Sequence, residues 1–148
     1  MPHLMLLTEG VDLRDDIYKF WNKFSLANIK PKVGGEFPEG WDVIEFFKNF
    51  RTSDKYGKII EVGCGYGRLC TAFDNNNYLG IDISHDAIRK ARKLFPNYKF
   101  EYTTTPDNMY QYSDTKLLYT VMLHQADEDL EEMIERLCQS TKTMIVAE

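Results

Sequence analysis

The 148-residue sequence has no long hydrophobic run, only three cysteines, no surplus of basic charge and no repeat or low-complexity tract. Each absence removes a class of protein. A membrane-spanning helix needs about 20 consecutive apolar residues, and no segment approaches that. The opening Met1-Pro2-His3-Leu4-Met5-Leu6-Leu7 is apolar but short, lacks a basic start and runs at once into Thr8-Glu9-Gly10, so no secretory signal is expected. Cys64, Cys70 and Cys138 are odd in number and show no Cys-x-x-Cys spacing. That argues against a disulfide framework and against a metal site, and it points to a reduced, cytoplasmic setting. With 18 basic and 23 acidic side chains the net charge is −5, which gives no footprint for tight nucleic-acid binding.

What is present is ordinary for a globular chain: 43% apolar and 28% charged residues, in a length that suits one domain. Ile17, Phe20, Trp21 and Phe24 fall on one face of a helix over residues 12–24, and Trp41, Ile44, Phe47 and Phe50 on one face of a second. Two prolines and three glycines between residues 28 and 40 make a loop between them.

The pattern then changes. Residues 58–63, 78–82, 98–102, 117–121 and 143–147 are short apolar or alternating runs that read as strands. Between them, residues 68–73 suit a short helix, residues 105–107 a brief helical turn, and Asp127 caps a helix with Leu130, Met133, Ile134, Leu137 and Cys138 as its stripe. Ser84 caps a helix reaching Phe95, with Asp86 in its first turn, Arg92 and Lys93 in its last, and Pro96 beyond. Strands alternating with helices predict an α/β fold: a Rossmann-like parallel sheet of about five strands flanked by helices. In such sheets ligands sit at the carboxyl ends of the strands, where strand order reverses.

The chemistry concentrates at Glu61-Val62-Gly63-Cys64-Gly65-Tyr66-Gly67, where a strand turns into a helix. A ligand lying across such a turn needs backbone with no Cβ in the way, and glycine also adopts the dihedrals of the bend. Asp82 ends the next strand, where a carboxylate can accept hydrogen bonds from both hydroxyls of a ribose. An ordinary tight turn with Asp82 as a helix cap is the plain alternative. A dinucleotide fingerprint would need glycine at the position of Arg68, so the spacing favours a single nucleoside ligand over NAD.

Residues 61–69, EVGCGYGRL, followed by residues 80–84, GIDIS, resemble motifs I and II of the class I S-adenosylmethionine-dependent methyltransferases. Residues 117–129, LLYTVMLHQADED, are similar to that family's fourth-strand segment. The resemblance implies one methyltransferase-like domain over residues 1–148, with residues 1–52 as a helical cap and 53–148 as the cofactor-binding core. It implies S-adenosylmethionine as cofactor. Gly63, Cys64, Gly65 and Gly67 would wrap its amino-acid part, Glu61 would help hold the ammonium, Asp82 the ribose, and Ile83 would pack on the adenine. Tyr119 and Thr120 would offer backbone to the methionine moiety. Where the family commonly has an acid reaching the adenine amino group, this chain has Thr104, Asp107 or Asn108. The chain stops at Glu148, so the family's sixth and seventh strands are missing.

Transfer of an activated methyl needs alignment above all, and a base where the acceptor holds its proton tightly. His124 stands where the methyl should lie, either as that base or as a residue capping the following helix, and Glu148 is a weaker candidate. Tyr18, one position off the first helix's stripe, is a candidate acceptor contact. The run Arg89-Lys90-Ala91-Arg92-Lys93 spreads around a solvated helix face, and Cys64 is a small residue that fits its turn. An acidic chain with a small cap points to a small-molecule acceptor. The rival is a cofactor-binding module that needs a partner chain to act. The last strand offers a flat apolar edge for a homo-oligomer or a partner.

Overall fold

The computed structural model describes residues 43–50, 53–103, 106–119 and 127–147. The expected first helix with Tyr18, the loop before residue 41, Thr104, Thr120, His124 and Glu148 all lie outside the described residues.

Helix α1 (Val43–Phe50) and the single turn α2 (Ser53–Tyr56) lead into strand β1 (Ile59–Val62). Strand β2 (Tyr78–Asp82), helix α3 (His85–Leu94), strand β3 (Lys99–Tyr102), strand β4 (Ser113–Tyr119), helix α4 (Asp127–Gln139) and strand β5 (Thr141–Ala147) follow. Every strand pairing is parallel, in the order β3-β2-β1-β4-β5. The expected Rossmann-like sheet is therefore observed, and strand order reverses between β1 and β4.

Alternation along the strands sorts side chains to two faces. On one, Ile59, Tyr78, Phe100 and Leu117 pack with Phe47 of α1 and with Ile88 and Ala91 of α3. On the other, Ile60, Val62, Ile81 and Leu118 pack with Met133 and Leu137 of α4. Tyr78 is central to the first layer, stacked on Phe73 with ring centroids 5.9 Å apart and meeting Phe100 edge-on. Cys138, expected on the buried stripe of α4, is exposed instead. At this helix end the stripe has rotated away from the sheet.

Two element boundaries differ from expectation. The helix expected over residues 68–73 is only a 3-10 turn, Cys70–Ala72, because Phe73 already takes an extended conformation. Strand β4 starts at Ser113 and not Leu117, and β5 starts at Thr141 to match it. The polar start of β4 is buried because its groups are satisfied. Thr115 Oγ1 donates to the Tyr56 carbonyl at 2.7 Å. Lys116, with 0% of its surface exposed, donates from Nζ to the Gln111 carbonyl, Ser113 Oγ and the Ser140 carbonyl.

Candidate cofactor site

The turn after β1 is built from three glycines with positive φ: 73° at Gly63, 56° at Gly65 and 86° at Gly67. The Gly63 and Cys64 amides both donate to the Ile81 carbonyl, at 2.8 and 3.0 Å, so the turn is fastened to β2. A Cβ on Gly67 would stand 2.8 Å from Phe100 Cζ, and one on Gly80 would stand 2.8 Å from Cys64 Sγ. Those two glycines are packing requirements. Gly65 is different, since a Cβ there would meet nothing within 4 Å. Its open side is where a ligand can approach the backbone.

Asp82 ties this turn to the next helix. Its Oδ2 accepts from the Gly65 amide at 2.8 Å and its Oδ1 from the Ser84 amide at 2.7 Å. Ser84 in turn caps α3, Oγ accepting from the Ala87 amide at 3.2 Å. The capping alternative for Asp82 is thus an observed contact, and it leaves the half-buried carboxylate with further lone pairs for a ligand. Burial raises the Asp82 carboxyl above its usual range while the amides of Ser84 and Gly65 oppose that rise. Ile83, half-buried, stands between acid and cap.

Glu61 lies deeper, 1% exposed, and accepts a 2.5 Å hydrogen bond from the Tyr78 hydroxyl. Burial pushes its carboxyl up to about 7, against the opposing pull of Tyr78 and of the Arg68 charge. Cys64 is buried, and burial raises its thiol well above the ordinary value, as suits an inert space-filling residue.

Three residues that the sequence reasoning passed over belong to this edge. The Arg68 guanidinium lies 4.6 Å from the Tyr119 ring centroid, and Nη2 donates to the Tyr119 carbonyl at 3.4 Å. Lys90 Nζ stands 4.7 Å from the Tyr66 ring, whose buried hydroxyl has no hydrogen-bond partner. Tyr78 was read only as a strand residue. A cation directly after the third glycine was the one available signal. The basic run 89–93 does divide among separate partners: Arg89 pairs with Asp86 at 3.1 Å, and Arg92 donates twice to the Phe100 carbonyl.

Asp107 and Asn108, two candidates for the adenine contact, face elsewhere in part. Asp107 is 3.9 Å from Arg136, and Asn108 donates to Glu101 at 3.4 Å. The open depressions among the described residues lie away from the glycine turn, on the outer side of α4 around Ile134 and Cys138, and beside Lys55, Asp114 and Lys142. Part of the cofactor edge is formed by residues 104–105 and 120–126, outside the described set. Among the described residues no cluster suited to a metal ion occurs, and no helix is long and apolar enough to cross a membrane.

A family profile described as a methyltransferase domain matches residues 59–143, more than half of the sequence. The chain belongs to the S-adenosylmethionine-dependent methyltransferases. S-adenosylmethionine is the cofactor of that family. The magnesium protoporphyrin IX methyltransferase of Synechocystis PCC 6803, solved with bound S-adenosylmethionine, superposes with a TM-score of 0.64 at 15% identity, covering 95% of this chain and 77% of that one. A TehB-like S-adenosylmethionine-dependent methyltransferase of Corynebacterium glutamicum gives 0.55 at 18% identity, covering 72% of this chain and 63% of that one. PKMT2 of Rickettsia typhi, solved with S-adenosylhomocysteine, gives 0.51 at 20% identity and covers 59% of this chain and 19% of that one. At these identities the likeness is one of fold. No curated protein sequence matches the chain.

The residues present fit the cofactor. Gly65 offers an open cradle that a side chain would fill, and two carboxylates stand at the carboxyl ends of adjacent strands.

Proposed function

We propose that the chain transfers the methyl group of S-adenosylmethionine to a small-molecule acceptor. The observation that carries this is the open Gly65 backbone held by Asp82, at the edge where strand order reverses. When bound, the cofactor supplies a methyl already activated by its sulfonium. What remains for the protein is to hold, align and deprotonate. Gly63, Cys64, Gly65 and Gly67 present backbone to the amino-acid end, and Glu61 supplies negative charge for its ammonium. Asp82 accepts from the ribose hydroxyls, Ile83 packs on the adenine, and Thr104 reaches its edge. Tyr119 and Thr120 present backbone near the methionine moiety. His124 takes the acceptor's proton, and Tyr18 touches the acceptor.

A second reading keeps the cofactor and drops autonomous catalysis. Among the described residues β5 pairs only with β4, and its Val146 is 41% exposed. An edge of that kind supports pairing with a second copy or a partner chain, which would complete the acceptor site. Three unpaired cysteines support a cytoplasmic setting.

Calorimetry tests the shared core of both readings. S-adenosylmethionine should bind and NAD should not, and Asp82→Ala should weaken binding by roughly tenfold or more, since hydrogen bonds to charged groups contribute about 1.5–3 kcal/mol. Unchanged affinity in Asp82→Ala would remove the assignment. Turnover with a screened acceptor, lost in His124→Ala while cofactor affinity holds, separates the transferase from the binding module.

A further inference from the structure

We propose that Arg68 binds the carboxylate of the cofactor's amino-acid end and so sets the preference for a ligand that carries one. The inference rests on the cofactor reading above. That end of S-adenosylmethionine is a zwitterion beside a sulfonium, two positive charges and one negative. The strand ends offer Glu61, Asp82 and the Tyr119 carbonyl, all of which suit the positive groups and repel the carboxylate. A cation is needed among them.

Arg68 occupies the required place. It follows the third glycine directly, and its guanidinium is held at the end of β4, against the Tyr119 ring and carbonyl. Its charge reaches Glu61 from the next strand, lowering the proton affinity of that carboxyl. The other described cations of this layer are engaged farther along α3: Arg89 with Asp86, Lys90 over Tyr66, and Arg92 on the Phe100 carbonyl. Stacking on Tyr119 fixes the plane of the guanidinium, and a fixed planar fork is the geometry that reads a carboxylate by two parallel hydrogen bonds. The same side chain spans from the glycine turn to the strand across the reversal point, so it stands at the amino-acid end of the cleft and not at the Asp82 end.

The test compares two ligands that differ only in the carboxylate, S-adenosylmethionine and its decarboxylated form, by calorimetry on the full chain. The natural chain should prefer the carboxylated ligand by roughly ten- to hundredfold, the range expected for hydrogen bonds to a charged group. Arg68→Met should abolish that preference while leaving the decarboxylated ligand's affinity within about twofold, and its thermal unfolding reports whether it folds. Arg68→Lys, which keeps charge without the fork, should fold and retain only part of the preference. An equal loss for both ligands in either variant would assign Arg68 to holding Tyr119 and overturn the inference. Binding of both ligands without preference by the natural chain overturns this inference alone, whereas binding of neither overturns the cofactor reading as well.

Discussion

Glu61 should make the folding stability of this protein depend on pH in a direction opposite to that of a salt-bridged acid. Its carboxyl is buried beneath the sheet edge with the Tyr78 hydroxyl as its donor, and its folded value is pushed from 4.5 up to about 7. The folded chain therefore binds a proton more tightly than the unfolded chain. The resulting stabilisation is complete below 4.5, declines as pH rises, and is gone once pH passes the folded value of about 7. At about 1.36 kcal/mol per tenfold change in proton affinity, holding the ionised form costs about 3 kcal/mol. Glu61→Gln keeps the shape and an acceptor for Tyr78 but removes the titration. Urea unfolding of both proteins from pH 5 to pH 9 should show Gln gaining on Glu by about 3 kcal/mol across the range, or roughly 6–12 °C in melting temperature for a chain of this size. The absolute offset between the two is not the prediction; its change with pH is. Parallel stability curves would refute the burial argument. A cationic ligand beside Glu61 favours the ionised form, so cofactor binding to the natural chain should release a proton near pH 6.5 and tighten towards pH 8, and Glu61→Gln should lose both effects.

Two glycines separate packing from ligand approach. Gly65→Ala should cost only the backbone strain of a left-handed residue, roughly 1–2 kcal/mol, yet weaken cofactor binding more than tenfold. Gly80→Ala drives a Cβ into Cys64 Sγ and Phe100 and should show the larger loss in thermal unfolding; equal behaviour of the two variants would contradict the assignment of the open side. Lys116→Met leaves the Gln111 and Ser140 carbonyls and Ser113 Oγ without their donor. Burial lowers the Lys116 ammonium to about 8, so the variant also relieves a buried charge. Orphaned polar groups at about 1–3 kcal/mol each should nevertheless leave it less stable by roughly 2 kcal/mol at pH 7, and a stabilised variant in denaturant titration would show that the charge dominates.

The legible parts of the fold are those where side-chain pattern and burial coincide. Strand β2 matches its expected span of residues 78–82, and α3 starts at the cap that Ser84 announced. The missed parts are those where polar residues are buried because tertiary partners satisfy them. Nothing local to Ser113-Asp114-Thr115-Lys116 reveals that Tyr56, Gln111 and Ser140 will supply acceptors. The shortened helix after the glycine turn has a similar origin, since the close fit of Gly67 against Phe100 comes from β3. At the site, glycine spacing and a strand-ending acid were readable because they are local, whereas Arg68 over Tyr119 joins residues 51 apart in sequence.

The two acids of the site look alike in sequence and differ in what their surroundings ask of them. Register places Glu61 opposite Gly80, so Tyr78 and Asp82, two residues either way along β2, share its face of the sheet. Tyr78 gives Glu61 one hydroxyl donor in a buried setting. Asp82 at the strand end receives two backbone amides, one from the glycine turn and one from the start of α3. Amides cannot turn into acceptors, so Asp82 must present oxygen to both, while Glu61 can be replaced by an amide that turns its oxygen to Tyr78. Asp82→Asn should therefore lose one of the two contacts and point a donor at a donor. The expected cost is about 1.5–3 kcal/mol, the range for a hydrogen bond to a charged group, accompanied by faster hydrogen exchange at Gly65 or Ser84. Glu61→Gln should leave those amides protected. An Asp82→Asn protein that unfolds with the natural chain's stability, its Gly65 and Ser84 amides still protected, would mean that the carboxylate does not hold the turn and that the shape of the cofactor cleft is set by the glycines alone.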